Sequence, residues 1–137
     1  MKPVLLSFLA FVAILASALA QGDTNSTRRI SIAEVGTVRL EVEQPTYKNE
    51  VRIRVRDHAA RNRGKQIVSC DIYHVGEDGR EGKIQTLTLR QVSPNSDDYL
   101  GSSSDRHEFE HGNVVRVVYK SDGLRLPIST WYAFYYH

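Results

Sequence analysis

One cysteine, Cys70, stands in 137 residues, so no intrachain disulfide can form. The fold must therefore hold by burial and backbone pairing alone. Cys70 lies in "QIVSCDIYHV", where Val68, Cys70 and Ile72 share one strand face, the setting of a buried, inert thiol. The chain also lacks a surplus of one charge. Setting aside Lys2 with the first twenty residues leaves 17 Lys and Arg against 16 Asp and Glu. That balance excludes the global basic footprint of a domain dedicated to nucleic acid. No heptad, internal repeat or long helical periodicity occurs. A nucleophile elbow, a phosphate-cradling glycine loop and a Cys-X-X-Cys pair are missing too, which removes familiar hydrolase, nucleotide-binding and redox signatures.

What is present begins with "MKPVLLSFLAFVAILASALA": Lys2, an apolar run from Val4 to Ile14, and a small-residue Ala18-Leu19-Ala20 site. This pattern predicts a signal peptide over residues 1–20 and a secreted, extracellular protein. The apolar run is short for a bilayer span. Residues 21–29 read as a flexible polar stretch holding the sequon at Asn25, a candidate for glycosylation. Residues 30–137 are long enough for a single domain with one core.

Within that domain the pattern is period two. "TVRLEVE" alternates Val38, Leu40 and Val42 with Arg39, Glu41 and Glu43, and "VRIRVR" alternates Val51, Ile53 and Val55 with arginines. "QIVSCDIYHV" and "KIQTLTLRQV" flank a hairpin signal at Asp78-Gly79. "NVVRVVYKS" and "LRLPISTWYAFYYH" flank another at Asp122-Gly123. Pro127 makes the start of the last segment an edge or a bend. These segments predict an all-β antiparallel sandwich or partly closed barrel of six to seven short strands.

The basic stretch "EVRIRVRDHAARNRGK" needs two explanations. Alternation sends Arg52, Arg54 and Arg56 outward, where an antiparallel neighbour pairs Glu43 with Arg52 and Glu41 with Arg54. Arg61, Arg63 and Lys65 fall in an expected loop with only Asp57 nearby, and so predict a contact with an acidic surface. In "TWYAFYY", Tyr132, Phe134 and Tyr136 oppose Trp131, Ala133 and Tyr135. One of these two sets must be covered by something else or stay partly exposed, which marks a contact surface.

"HEFEH" matches the zinc-protease string, with His107 and His111 as ligands and Glu108 as general base, but only on a helix. Gly112 stops a helix, the preceding serines give it no apolar face, and no third ligand follows in a suitable place. An extended backbone would set the two histidines about 13 Å apart, too far for one ion. The carboxylate pairs Asp97-Asp98 and Glu77-Asp78 read as solvated turn residues, too few for calcium.

The segment "HGNVVRVVYKSDGLRLPISTWYAFYY", through His111, Asn113, Val114, Lys120, Ser121 and Gly123, resembles the closing segment of the multiprotein bridging factor two family of small secreted insect proteins. The resemblance implies a role, under a transcription-coactivator name, resting on protein binding, and it brings no catalytic residues. The double glycine usual ahead of that segment is replaced by "DDYLGSSS". Together these readings predict a secreted, non-enzymatic, monomeric or weakly associating all-β binding protein with no cofactor, no membrane span and no specific nucleic acid. Its contact is expected through Arg61, Arg63 and Lys65 with Tyr132, Phe134 and Tyr136. A zinc-dependent hydrolase using His107, Glu108 and His111, and a secreted effector or defence protein, are the alternatives.

Overall fold

A computed structural model describes residues 28–45 and 48–135. The expected leader at 1–20, the sequon at Asn25 and the aromatic Tyr136 lie outside the described residues. Eight strands follow in order: β1 (Arg28–Val35), β2 (Val38–Pro45), β3 (Glu50–Asp57), β4 (Ile67–Val75), β5 (Glu81–Gln91), β6 (Asp98–Ser104), β7 (Val114–Tyr119) and β8 (Ile128–Ala133). They form one all-antiparallel, nearly closed barrel-like sheet in the spatial order β1-β2-β3-β6-β5-β4-β7-β8. The all-β expectation holds, with eight strands where six to seven are expected from sequence.

The additional strands break the usual pattern. In β1 the inward positions are the small Ser31 and Ala33, while Ile30 and Ile32 point outward; Ser31 pairs in register with buried Val42. In β6 the inward positions are Tyr99, Gly101 and Ser103, so a single large side chain marks the buried face.

Alternation fills the interior as expected elsewhere. Leu40, Val42, Val51, Ile53, Val55, Ile72, Leu89, Val115 and Val117 are fully buried. The register between β2 and β3 is the expected one, with Glu41 opposite Arg54 and Glu43 opposite Arg52. The hairpin at Asp78-Gly79 also forms: Gly79 takes φ 83, a conformation glycine adopts without strain, and Asp78 Oδ1 accepts the Arg80 amide at 3.0 Å. Asp122-Gly123 does not make a tight hairpin. It lies in the longer connection from Tyr119 to Ile128, where Ser121 is buried and its Oγ accepts the Gly123 amide.

The strand order forces two long crossings. β3 and β4 are separated by β6 and β5, so residues 58–66 pass over one end of the barrel. β6 and β7 are separated by β5 and β4, and antiparallel alternation sends residues 105–113 over the opposite end. The first crossing contains a short helix, α1 (His58–Asn62), where a loop is expected from sequence; Asp57 caps it by accepting the Ala60 amide at 3.2 Å. The second contains a 3-10 turn, His107–Phe109.

The barrel closes unevenly. β1 and β8 meet through the hydroxyls of Ser31 and Thr130, both buried. β5 and β6 pair at Arg90–Leu100 and Gln91–Tyr99, and then diverge. Just past that ladder, Gly101 presses on β5: a Cβ there would come within 2.6 Å of the Thr88 carbonyl oxygen and of Leu89 Cδ2. Gly101→Ala is therefore expected to lower unfolding stability by about 1–3 kcal/mol in denaturant melts. Gly82→Ala, where a Cβ meets nothing within 4 Å, should instead be stabilising by about 1 kcal/mol or less. Equal effects would contradict this packing. Cys70 is buried, and burial, with Asp71 beside it, pushes its thiol up to about 12. Alkylation at pH 8 should accordingly proceed only at the rate of unfolding; prompt labelling of folded protein would refute it.

Candidate functional site

One end of the barrel is built on a buried carboxylate. Asp57, fully buried at the end of β3, receives the Tyr119 hydroxyl at 2.6 Å as well as the α1 amide. Burial and then that carboxylate hold the Tyr119 phenol far above its ordinary range. Tyr99, its phenol raised by burial and by Asp57 and Asp97, donates to the Lys65 carbonyl at 2.6 Å. These bonds fix the crossing chain to the sheet. The expected unpaired basic cluster on that chain is corrected here. Arg61 meets Asp97 at 2.9 Å, and Arg63 and Lys65 meet Asp122 at 3.2 and 2.7 Å. The two acidic partners come from the β5–β6 and β7–β8 connections, distant in sequence, which is why local reading leaves the cations alone.

The other end is plugged by the zinc-like string. "HEFEH" is neither an α-helix nor a strand: it makes one 3-10 turn, and Gly112, at φ 88, carries the chain toward β7. Phe109 points into the barrel, fully buried, and stacks on Phe134 at 5.1 Å between ring centroids. Burying a side chain of that size contributes roughly 1.5–3 kcal/mol. His107 is 82% exposed at its side chain, while Glu108 is engaged with Arg106 and His107, both at 3.1 Å. Desolvation pushes the Glu108 carboxyl up, but its own backbone amide, Arg106 and His107 outweigh that and hold it below the ordinary range. His111 sits edge-on to Tyr135. No group of three or more His, Cys, Asp or Glu side chains is placed to hold a metal among the described residues.

The aromatic strand resolves opposite to expectation. Tyr132 and Phe134 are buried at 2% and pack edge-to-face at 5.1 Å. The Tyr132 hydroxyl donates to Gln44 Oε1 at 2.8 Å, and buried Gln44 also donates to the carbonyls of Lys48 and Tyr135. These residues are core. The set left on the outside is Trp131, Ala133 and Tyr135, the last 37% exposed.

That outer set belongs to a wider surface across three strands. Register places Tyr73, Arg116 and Trp131 side by side across β4, β7 and β8, and Val75, Val114 and Ala133 in the next outward row. The Arg116 guanidinium lies over both rings, 5.2 Å from Tyr73 and 5.9 Å from Trp131, and grips Glu81 through Nε and Nη2 at 2.7–2.9 Å. Val118 extends the surface along β7, and Ile30 and Ile32 continue it on β1 next to β8. The near-unbroken "VVRVV" leaves little room for a solvated face on β7, in keeping with this surface, whereas the "RISI" of β1 is not legible as a strand by itself.

The opposite half of the barrel is charged. Arg39 meets Glu41 at 3.1 Å, and Asp98 meets Arg54 at 3.4 Å and Arg56 at 3.0 Å. The hydrogen bond that Arg56 donates to Asp98, and then the charge of that carboxylate, raise the Arg56 guanidinium above its ordinary value. The molecule is thus two-sided, mostly apolar over β7, β8 and the end of β4 with β1 beside them, with Asp71 next to Val118, and charged over β2 and β3 with Asp98 of β6.

The Lys65–Asp122 pair gives a direct pH test. Lys65, by hydrogen bond and by charge, holds Asp122 below its ordinary 3.8. The stabilisation is therefore complete above that value and is lost as pH falls through the lowered one. Lys65→Met should raise the Asp122 titration midpoint in carboxyl NMR, and an unchanged midpoint would show that the pair does not form in solution. Compared with protein-family models, curated proteins and solved structures, the chain finds no match.

Proposed function

We propose that the protein is a secreted binding module that acts by contact with a protein partner rather than by turnover, and that the contact surface is the outer face of β4, β7 and β8. The observation that carries this reading is the outward, half-exposed apolar and aromatic surface formed by Tyr73, Val114, Val118, Trp131 and Ala133, with its one cation already closed by Glu81. A surface of that composition gains by losing water. Its two aromatic rings and the Arg116 between them are side chains enriched where partners bind tightly.

The basic crossing at Arg61, Arg63 and Lys65 has a structural role in this reading, because Asp97 and Asp122 occupy its charges. Hydrolysis through His107, Glu108 and His111 gains no support from a turn that ends on the core plug Phe109. Resemblance of the closing segment to the multiprotein bridging factor two family, whose role rests on protein binding, is consistent with a contact protein. It rests on residues 111–136 alone.

The test uses the full chain against its own extracellular fluid, with Val118→Lys and Ala133→Lys as paired variants. Both positions point outward, so melting temperature should change little while proteins retained by the wild type are lost by at least about tenfold, the equivalent of 1.4 kcal/mol. The same proteins retained equally by the variants would overturn the assignment of this face.

A further inference from the structure

The charged half of the barrel holds a groove of about 580 Å³ lined by Glu41, Glu43, Pro45, Arg52, Arg54, Arg56 and Leu100. Alternate residues of β3 place its three guanidiniums in one line, with successive cations about 7 Å apart. The manner in which these arginines are paired separates them from Arg116. Arg116 closes its fork on Glu81 through two nitrogens at 2.7–2.9 Å. The groove arginines are held by single, longer contacts: Arg56 Nε to Asp98 at 3.0 Å, Arg54 Nη1 to the same carboxylate at 3.4 Å, and Arg52 Nη2 to Glu50 at 3.9 Å. Each guanidinium carries five N–H donors in a planar fork, and the three side chains are 42–55% exposed, which leaves room for an added anion to reach them. Glu41, opposite Arg54 in register, is drawn toward Arg39. Across Leu100 from Arg54, exposed Arg90 adds a further cation to the same row.

We propose that this groove binds a linear sulfated polysaccharide, with sulfate groups seated in the open forks of Arg52, Arg54 and Arg56. Arg54 and Arg56 already converge on one anion, Asp98, and a sulfate ester offers three acceptor oxygens to such a convergence, enough for two forks at once. A carboxylate polymer offers two per group. Single-stranded nucleic acid needs aromatic platforms for its bases, and the groove walls carry Pro45 and Leu100 instead. The site is independent of the apolar face on the other half of the barrel.

The experiment measures binding of the full chain to fluorescent dextran sulfate, with uncharged dextran, polyglutamate and an oligothymidylate as comparisons. Dextran sulfate is expected to bind tightest, with log affinity falling against log salt at a slope of about −2 for three engaged cations. Arg52→Gln, Arg54→Gln and Arg56→Gln together should weaken binding at least about tenfold. Arg90→Gln, on an exposed position outside those ion pairs, should weaken it about threefold and guards against misfolding of the triple variant. Arg61→Gln, Arg63→Gln and Lys65→Gln together should leave it unchanged. Absence of binding to dextran sulfate, equal binding of polyglutamate or oligothymidylate, an unaffected triple variant, or an equal loss in the crossing-chain variant would each overturn the proposal.

Discussion

The hydrogen bonds to Asp57 are the interaction on which the topology depends. A strand order that takes β3 past β6 and β5 to reach β4 must lead the chain across an open barrel end, and a crossing chain leaves polar groups where the core should be. Asp57 resolves this with one side chain. One oxygen caps α1 and fixes the direction in which the chain leaves β3; the other receives Tyr119 from β7, on the far side of the sheet. A buried carboxylate without such donors would cost several kcal/mol or take up a proton. With them it ties the two halves of the barrel, and Ala60 can descend into the core above it.

The opposite end is closed by different chemistry serving the same need. There the crossing chain brings a ring, Phe109, onto Phe134, while Gln44 satisfies the polar atoms beside them through both ends of its amide. The zinc-like spacing of His107 and His111 follows from this role: the residues flanking the plug stay polar because they remain at the rim. A sequence motif that matches a catalytic string is informative only with its backbone, and here the backbone is a single tight turn. Gly112 and the preceding serines disfavour an α-helix, and Gly112 takes a φ of 88 that ends the turn. The extended geometry expected in its place does not occur, because a fully extended crossing would leave the barrel end open.

What could be read from sequence divides along the same physical line. Register between β2 and β3 was legible because both strands alternate strictly and their charges are complementary, so Glu41–Arg54 and Glu43–Arg52 follow from pleat alone. β1 and β6 were hidden because their inward residues are small: Ser31 bonds Thr130 and Gly101 lets β6 approach β5, so neither leaves a hydrophobic period. The partners of Arg61, Arg63 and Lys65 were hidden because they are contributed from turns dozens of residues away. The aromatic strand is the instructive case. Alternation stated correctly that Tyr132 and Phe134 oppose Trp131, yet it cannot say which set faces inward. That choice is made by Gln44 and Phe109, one providing an acceptor for the Tyr132 hydroxyl and the other a ring for Phe134.

The same reasoning explains why the two outer halves differ in kind. β2 and β3 have interiors filled mainly by aliphatic side chains, so their outward positions are free to be charged, as Arg39, Glu41, Glu43, Arg52, Arg54 and Arg56 are, and β6 adds Asp98 beside them. β7 and β8 flank the seam where β1 and β8 meet through side chains rather than a ladder, and there valine, isoleucine and tryptophan cover the outside as well. An apolar exterior beside an incomplete ladder shields its backbone from competing water, which stabilises the closure. It also leaves area that a partner can cover. The cation within it, Arg116, is compatible with that use because Glu81 and two rings already satisfy it, whereas the singly held arginines of β3 keep their donors toward solvent. The difference between a closed fork and an open one, more than the number of charges on either side, separates a surface suited to losing water from one suited to gathering anions.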